Sequence, residues 1–406
     1  MFEQLSDVFT HAAFKYLSNV DADPKASNQH EIGGLPKAGI GEHLGMPDDG
    51  TQLSIPATFV YLDDDDSPLI YDDNVTWYDS RYTDPKRGAE WRLYYKSNDI
   101  TSRFQPGDFM MITLTHERTL LIIFCPPDSE QETQIRAIFG AQTTDAAKTG
   151  LKKVQIDSRL AVPIRLIFAR YGIEIGHTRA DLLDEILERF GNTFPKTREF
   201  SQFARDHAQD VSPVETPDKA LIDWMELEES AFRQLERHIV RERLKEGFGE
   251  HGDDVDLFVS FSLSVQNRRK SRSGHAFENH IEHILTANQL TFERGALTEG
   301  RQKPDFLFPG SAAYQDLSFP ADKLRILGAK TTCKDRWRQV LAEGARIPKK
   351  HLITMEHAIT EAQTSQMRDQ NLQLVVPEAF HKTYTQAQAS WLMTLRDFID
   401  EVRQLG

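Results

Sequence analysis

Three side chains in the second half of the chain have the types and the spacing that phosphodiester hydrolysis needs. Asp305 stands in KPDFLFPG, Lys330 ends LRILGAK, and Glu343 lies in RQVLAEGAR. Carboxylates can hold Mg²⁺, which offsets charge in the transition state and lowers the pKa of a bound water. A lysine beside that water supplies a further cation. Asp305, Lys330 and Glu343 together meet this demand.

A structural alternative exists for each of the three residues. Asp305 can be a turn residue after Pro304, because Pro-Asp pairs are frequent in turns. Lys330 can be a residue at the end of a strand, and Glu343 a solvated helix position. Spacing alone favours this alternative, so the case for chemistry needs further signals.

The elements around these residues predict how they meet. PDFLFP and LRILGAKTT have the composition of buried strands, and the 25 residues from Asp305 to Lys330 include a loop, YQDLSFPADK. Two neighbouring strands would bring Asp305 and Lys330 together. A helix that begins near Asp335 would carry Glu343 back over the same end of the sheet.

Charged residues at the start of that predicted helix suit base readout. Lys334, Asp335 and Arg336 form a basic, acidic, basic triplet. In the major groove, Arg or Lys reads guanine O6 and N7, while an acidic side chain accepts from cytosine N4. The triplet therefore suits adjacent G·C pairs. The alternative is a solvated first turn with ion pairs one turn apart, in which Asp335 only caps the helix.

Length, charge and cysteine content limit the remaining possibilities. A chain of 406 residues fits two domains. No apolar run approaches the roughly 18 residues of a membrane span, and the start lacks a secretory signal, so we expect a cytoplasmic protein. Two distant cysteines argue against a disulfide framework and a zinc site. The net charge of −14 opposes nucleic-acid binding in general but allows it in one basic groove.

The order of predicted elements divides the chain into three parts. Residues 1–155 carry short strands between turn residues, which is typical of a barrel or a sandwich. Residues 156–215 contain a helix and then a breaking passage, VSPVETPDK, and are predicted to be a helical connection and linker. Residues 216–406 alternate helices with strands, which predicts an α/β domain.

Several segments of the second half resemble one known family. KPDFLFP, the stretch from Tyr314 to Phe319, GAKTTCKDRWRQ with its downstream Glu343, NRRKSRSG and FENHIEHI resemble the catalytic half of the EcoRII-like type II restriction endonucleases, a branch of the PD-(D/E)xK nucleases. The resemblance implies Mg²⁺-dependent cleavage of double-stranded DNA, with Asp305 and Glu343 as metal ligands and Lys330 beside the attacking water. It also implies that the second carboxylate ligand lies on the helix instead of the strand. Gly328 occupies the strand position two residues before Lys330 and cannot be a ligand.

The resemblance implies roles for five more residues of this half. Glu278 would be an additional acidic residue near the metal, and Tyr314 would lie near the scissile phosphate. Arg268, Arg269 and Arg272 would contact the DNA backbone, which positions a protein without reading sequence. The alternatives are a solvated helix face for Glu278, a capping tyrosine for Tyr314 and a solvated loop for the arginines.

The first half resembles the family's amino-terminal effector domain, a B3-like DNA-binding barrel. The resemblance starts in KYLSNVDADPKASNQHEIGGLPKAG and includes His30 as a DNA contact. The stretch from 76 to 96 would form a second recognition arm, with alternate side chains on opposite faces. An edge strand protected by charges is the alternative. The candidate DNA contacts of the second recognition arm are Arg81, Lys86, Arg87, Arg92 and Lys96.

Together these observations predict a homodimeric, type IIE-like restriction endonuclease. The resemblance implies a CCWGG-like target with CC/GG flanks, of which the amino-terminal domain would bind one copy while the nuclease domain cuts another. A palindromic site is matched by a two-fold symmetric protein. A cognate DNA methyltransferase is expected as a genetic partner. The open alternatives are a repair or recombination nuclease on the same fold and an idle DNA-binding regulator.

Overall fold

The computed structural model describes residues 3–22, 30–63, 68–84, 86–141, 150–154, 156, 161–162, 168, 182–333 and 336–405. The chain divides into two compact units. One holds Phe2–Gly176 with His357–Thr360, and the other holds Met1, His177–Glu356 and Glu361–Gly406. None of the described helices is long and apolar enough to cross a membrane.

The first unit is mainly β. Its strands are β1 (Glu3–Gln4), β2 (Phe9–Tyr16), β3 (Glu31–Gly33), β4 (Leu53–Tyr61), β5 (Leu69–Asp79), β6 (Trp91–Tyr94), β7 (Phe109–Thr115), β8 (Leu120–Cys125), β9 (Lys152–Val154) and β10 (Ala161–Val162). Its helices include α1 (Leu5–Val8), α2 (Asn19–Ala22), α3 (Ile40–Leu44) and α4 (Glu130–Phe139).

Eight of these strands form one sheet in the order β3-β6-β5-β4-β8-β7-β2-β9, and β1 pairs with β10. The pair of β4 and β8 is parallel, and the other pairs of the sheet are antiparallel. Every residue of β8 is buried, as expected for an apolar run, LLIIFC, in the middle of a sheet. Trp77, Phe59 and Phe124 fill the core on one side. The predicted mainly β amino-terminal fold is confirmed.

The second unit is a mixed sheet with helices. Its strands are β11 (Glu293–Arg294), β12 (Phe306–Phe308), β13 (Arg325–Lys330), β14 (Lys350–Thr354) and β15 (Leu372–Val375). Its helices are α5 (Leu183–Phe190), α6 (Thr197–His207), α7 (Pro217–Glu246), α8 (Val255–Ala287), α9 (Ser311–Gln315), α10 (Trp337–Ala342), α11 (Glu361–Asp369), α12 (Gln386–Ala389) and α13 (Leu395–Leu405). Short 3-10 turns cover Glu299–Arg301, Ala321–Lys323 and Glu378–Thr383.

The sheet of the second unit runs in chain order from β11 to β15. β11, β12 and β13 pair antiparallel, whereas β13, β14 and β15 pair parallel. Parallel neighbours need a crossover connection. Helix α10 lies in the crossover from β13 to β14, and α11 in the crossover from β14 to β15. The alternation of helices and strands in the sequence reflects this topology. The predicted α/β fold of the second half is confirmed.

Two helical regions add to what the sequence indicated. Helix α8 begins at Val255, where the side chain of Asp254 accepts from the backbone N–H of Leu257, so NRRKSRSG lies in a helix and not in a loop. Helices α5 and α6, expected in a connecting segment, belong to the second unit and share an aromatic cluster with α7. Phe200, Phe203 and Phe232 are buried in that cluster.

Candidate active site

Asp305 and Lys330 lie side by side at one end of the sheet. Asp305 directly precedes β12, and Lys330 is the last residue of β13. Because the two strands are antiparallel, with Phe306 opposite Leu327, the start of β12 lies beside the end of β13. The Lys330 amine donates to Asp305 Oδ2 at 2.7 Å, and the backbone N–H of Ala329 donates to the same oxygen at 2.6 Å. The predicted meeting of these residues is present.

Glu343 comes to the same place because α10 packs closely on β13. A Cβ added to Gly328 would lie only 2.6 Å from Val340 Cγ2, so the glycine permits this approach. Helix α10 ends at Ala342, and Gly344 follows with a φ of 60°. The sequence predicted Glu343 on the helix, and this prediction is wrong. Glu343 is the extended residue that follows the helix, because the turn at Gly344 ends it.

The carboxyl group of Glu343 is buried and electrostatically linked to the other two residues. Glu343 is 8% exposed, and its Oε2 atom has no hydrogen-bond partner. Burial raises the pKa of Glu343 to about 7, and the nearby charge of Asp305 adds to the rise. Lys330 and Lys350 oppose the rise. The structure thus brings Asp305, Lys330 and Glu343 into one charged cluster.

The donor set fits a hard divalent cation. Mg²⁺ is bound through one or two carboxylates, with water and substrate phosphate as its other ligands. Asp305 and Glu343 supply two carboxylates, and the unpaired buried oxygen of Glu343 lacks the partner that such a group requires. Among the described residues, no group of three or more His, Cys, Asp or Glu could hold a metal. Two carboxylates would leave the other coordination positions of such an ion to water and substrate phosphate.

Glu278 lies on α8 and is paired with an arginine of the sheet. Its carboxylate accepts from Arg294 at 2.6 Å, and Arg294 also binds Glu282 at 2.7 Å. Arg294 is opposite Phe306, the residue that follows Asp305. Glu278 is thus held by an arginine of β11, the strand that pairs with β12 next to Asp305.

Tyr314 is buried in a small cluster that holds the turn after Glu343. Its hydroxyl donates to Glu299, and burial together with this bond raises the pKa of Tyr314 to about 12. The Arg346 guanidinium donates to the carbonyls of Tyr314 and Phe319. Sequence reasoning missed Glu299 and Arg346. The only signal for Arg346 was its place in the turn sequence EGARIP, directly after Glu343.

The candidate base-reading residues are only partly described. Lys334 and Asp335 lie outside the described residues. Arg336 precedes α10, is exposed, and donates its backbone N–H to the carbonyl of Cys333 at 2.8 Å. Arg336 is six positions beyond Lys330, so an exposed cation lies in the segment that follows the active-site strand.

The three arginines of α8 have different environments. Arg272 is 6% exposed and binds Glu228 at 2.9 Å and also Glu229. Arg269 binds both carboxylate oxygens of the buried Glu236 through its Nε atom, at 2.7 Å each. Arg268 is exposed and lies 4.5 Å from the ring centroid of Phe194. Of the three, Arg268 has the environment that best suits contact with a phosphate.

In the first unit, the predicted alternation along β6 is present. Leu93 and Tyr95 are buried, whereas Lys96 is exposed and Arg92 is half-buried on the other face. Strand β6 pairs with β3 on one side and β5 on the other, so it is not an edge strand. Protection of an edge therefore does not explain the charge of Arg92.

The other candidates of the first unit fall into paired and exposed groups. Arg92 binds Glu31 at 3.1 Å and Glu90 at 2.6 Å. Arg81 also binds Glu90. His30 is partly exposed, with its Nε2 atom 3.3 Å from Ser97 Oγ. The exposed candidates with charged side chains are Lys86, Arg87 and Lys96.

Comparison with known proteins identifies the family. Residues 232–399, which include the whole cluster, match the family model described as EcoRII C terminal. The type II restriction enzyme EcoRII of Escherichia coli is 32% identical over 398 residues, which cover 97% of this chain and 94% of EcoRII.

Two solved structures are also similar. Metal-depleted Ecl18kI with uncleaved, modified DNA is 18% identical, with a TM-score of 0.43, and the match covers 55% of this chain and 82% of that one. The PspGI–substrate DNA complex is 17% identical, with a TM-score of 0.41, and the match covers 56% and 97%. Because the similarity to EcoRII spans nearly the whole of both sequences, this chain belongs to the EcoRII family of type II restriction enzymes.

Proposed function

We propose that this enzyme is a Mg²⁺-dependent, type IIE-like restriction endonuclease that makes double-strand breaks at a short palindromic DNA site. The observation that carries the proposal is the cluster at the sheet end. Asp305 binds Lys330, and the buried, unpaired carboxyl of Glu343 lies within electrostatic reach of both. Two carboxylates and one amine are the groups that metal-assisted phosphodiester hydrolysis requires.

Each residue of the cluster has a separate task in this proposal. Asp305 and Glu343 would hold the metal. When bound, Mg²⁺ offsets charge on the phosphate and lowers the pKa of a bound water. Lys330 is held in place by Asp305, so its amine presents a fixed positive charge beside the attacked phosphate. Fixed charges of this kind stabilise a transition state without reorganisation during the reaction.

The protonation state of Glu343 would determine the pH range in which the site can bind the metal. Its pKa of about 7 means that the carboxyl is largely protonated below neutral pH and ionised above it. A metal ligand must be deprotonated. We therefore expect metal affinity, and with it DNA cleavage, to rise with pH through neutrality.

Recognition of the cut site is assigned to the segment after Lys330. We propose that Lys334, Asp335 and Arg336 read the G·C pairs of a CCWGG-like target, and that Arg268 contacts a phosphate. The exposure of Arg336 and Arg268 supports these roles.

The first unit is proposed to bind a second copy of the site. Lys86, Arg87 and Lys96 are exposed, and His30 is partly exposed, so these side chains are accessible to a DNA backbone. A second bound copy would make the enzyme respond to two sites on one DNA molecule. Arg81 and Arg92 are paired with acidic residues and would orient this surface.

The proposed enzyme is a homodimer. One active site cuts one strand, and a two-fold symmetric protein matches a palindromic target. The host must protect its own DNA, so we propose a cognate methyltransferase as a genetic partner. Host and incoming DNA meet in the bacterial or archaeal cytoplasm, where the enzyme would act.

The direct test is digestion of plasmids that carry no, one or two CCWGG sites, with Mg²⁺ and with a chelator. We expect a fixed fragment pattern with Mg²⁺, no cutting with the chelator, and faster cutting of the two-site plasmid. Sequencing of the fragment ends gives the site and the stagger. Structure-dependent nicking would support a repair nuclease instead, and a plasmid that stays supercoiled would support an idle DNA-binding protein.

A further inference from the structure

The edge strand β11 carries an arginine whose side chain is bound to a helix. The side chain of Arg294 is 25% exposed, and its guanidinium donates to three acceptors on α8. The acceptors are Glu278 at 2.6 Å, Glu282 at 2.7 Å and Asn279 at 2.9 Å. Charge-assisted hydrogen bonds are stronger than neutral ones, and a guanidinium that makes several of them has a fixed orientation. Arg294 therefore ties β11 to α8.

The helix side of this anchor is itself held in place. Asn279 is 7% exposed, and its amide donates to the hydroxyl of the buried Ser201 on α6 at 3.1 Å. Helix α8 is thus fixed against α6 directly beside the acceptors of Arg294. The arginine binds to a packed part of the protein and not to a solvated helix face.

An edge charge has a simpler explanation, which does not fit Arg294. Charges on an edge strand discourage pairing with another sheet, and β11 is an edge of its sheet. A charge with that task must face solvent. Two carboxylates neutralise the charge of Arg294, and both belong to α8. Edge protection therefore does not account for this residue.

The backbone of β11 continues the connection to Asp305. Arg294 is opposite Phe306, and the backbone N–H of the next residue, Gly295, donates to the carbonyl of Asp305 at 3.2 Å. Strand β11 has only two residues, so few backbone hydrogen bonds hold it to β12. The anchor on α8 thus helps to determine where the backbone of Asp305 lies.

Arg294 lies on the α8 side of the sheet. Arg294, Phe306 and Leu327 are opposite one another on three neighbouring strands, so their side chains lie on one face. Gly328, the next residue along β13, faces the other way, where α10 packs on it. The side chain of Arg294 is thus directed away from the face on which α10 packs, and its connection to Asp305 runs through the backbone.

We propose that Arg294 is a positioning residue for DNA cleavage, which holds Asp305 in place by anchoring β11 to α8. The inference rests on the proposed function, because it takes Asp305 to be a metal ligand. Residues that orient metal ligands matter for the reaction, and their loss costs about 10–100-fold in metal affinity or activity. Glu278, Glu282 and Asn279 contribute as the acceptors that fix the guanidinium.

The test replaces Arg294 in the full-length enzyme by methionine and by lysine. Arg325→Met is the matched control, because Arg325 also joins the sheet to a helix. Its side chain is 12% exposed and binds Glu401 of α13 at 2.7 Å. Arg325 is opposite Phe308, at the end of β12 away from Asp305. Each methionine variant loses an ion pair, but only Arg294→Met removes the anchor beside Asp305.

Four quantities separate positioning from a general loss of structure. They are the single-turnover cleavage rate at saturating DNA, the Mg²⁺ concentration for half-maximal rate, DNA affinity in chelator, and the rise in Tm with Mg²⁺ in the absence of DNA. The last quantity reports metal binding without catalysis, because a ligand of the folded state stabilises it.

We expect Arg294→Met to cut about 10–100-fold more slowly than the wild type and to need more Mg²⁺. Its rise in Tm with Mg²⁺ should be smaller, and its DNA affinity in chelator should stay unchanged. Arg294→Lys should be intermediate, because an ammonium keeps the charge but not the planar fork of the guanidinium. Arg325→Met should match the wild type in cleavage rate and in the response to Mg²⁺.

Three results would overturn the inference and leave the proposed function standing. They are a wild-type rate and Mg²⁺ requirement in Arg294→Met, an equal loss of rate in Arg325→Met, and a loss of DNA affinity in chelator as large as the loss of rate. If circular dichroism shows that Arg294→Met does not fold, a wild-type rate in Arg294→Lys is the contradicting result. A wild type that shows no Mg²⁺-dependent cleavage would overturn the proposed function and this inference together.

Discussion

The amine of Lys330 lies 2.7 Å from Asp305 Oδ2, an oxygen that also accepts the backbone N–H of Ala329 at 2.6 Å. The contact depends on the antiparallel pairing of β12 and β13, which places residues 25 positions apart in the chain at the same end of the sheet. Asp305 therefore fixes Lys330 with one oxygen. Its other oxygen, Oδ1, has no hydrogen bond to the described residues and can face a metal.

Replacement of Lys330 by alanine should strongly reduce the rate of DNA cleavage and leave specific DNA binding nearly intact. Loss of a fixed charge at the transition state costs about 10²–10³-fold in rate. Single-turnover cleavage and filter binding in chelator measure the two effects. Lys323→Ala removes an exposed lysine of the same unit and is the matched control. Cleavage by Lys330→Ala at the wild-type rate would remove Lys330 from the mechanism.

Replacement of Glu343 by glutamine should make the metal-free protein more stable at high pH. The folded pKa of about 7 lies above the ordinary value of 4.5, so ionisation opposes folding as pH rises from 4.5 to 7. The wild type should lose up to about 3 kcal/mol of unfolding free energy over this range. The variant should not show this loss.

Urea unfolding in chelator at pH 5 and pH 8 measures the difference between Glu343→Gln and the wild type. Glu361→Gln, at an exposed position, should keep the wild-type dependence on pH. If the unfolding free energy of Glu343→Gln depends on pH as that of the wild type does, the carboxyl of Glu343 in the wild type is not buried in the way described. The same variant should be inactive with Mg²⁺, because a metal ligand is lost.

Replacement of Gly328 by alanine should displace α10. The new methyl group would lie 2.6 Å from Val340 Cγ2, and such overpacking costs about 1–3 kcal/mol. Cleavage should fall because Glu343 follows this helix. The Gly328→Ala/Val340→Ala double variant should recover part of the activity that Gly328→Ala loses. Thermal unfolding and cleavage rates are measured for the wild type, the two single variants and the double variant. If the losses of stability and activity in the single variants simply add in the double variant, the close packing of Gly328 and Val340 is contradicted.

Arg346 should act as a positioning residue for Glu343. Its guanidinium joins the turn after Glu343 to the carbonyls of Tyr314 and Phe319. Arg346→Ala should lower kcat by about 10²-fold, since small misplacement of a catalytic group has effects of this size. KM and DNA affinity in chelator should stay unchanged. Arg346→Lys should restore part of kcat, and an equal change in KM would indicate a DNA contact instead.

Replacement of Arg336 by alanine should reduce discrimination at one G·C pair by about 1–3 kcal/mol. The measurement compares binding to the cognate duplex and to duplexes with single substitutions. Arg338→Ala, two positions along the same segment, is the control. Equal weakening on all duplexes would make Arg336 a phosphate contact.

Much of the fold and the central cluster could be predicted from the sequence. The apolar runs around Asp305 and Lys330 and the turn residues between them indicated two neighbouring strands, and these strands pair as expected. Glu343 was predicted on the helix, because the apolar spacing does not show that Gly344 ends it. The exact cap depends on the turn that follows, and that turn is held to Glu299, Tyr314 and Phe319, which lie in distant parts of the chain.

Burial of charge could not be predicted in the same way. Arg272 lies in NRRKSRSG, which has the composition of a solvated basic segment. Its partners Glu228 and Glu229 are more than 40 positions earlier, on α7, and only the packing of two long helices brings them together. The pairing of β6 on both sides is likewise a long-range property, so the edge-strand alternative could be excluded only by the sheet order.

The most direct test of the central claim is the Mg²⁺ dependence of plasmid cleavage by the wild type, Asp305→Asn and Glu343→Gln. The account predicts that the wild type linearises a plasmid with the target site only when Mg²⁺ is present, and that each variant leaves it uncut. Cleavage at the wild-type rate by the Asp305→Asn/Glu343→Gln double variant would contradict the claim that these two carboxylates hold the metal.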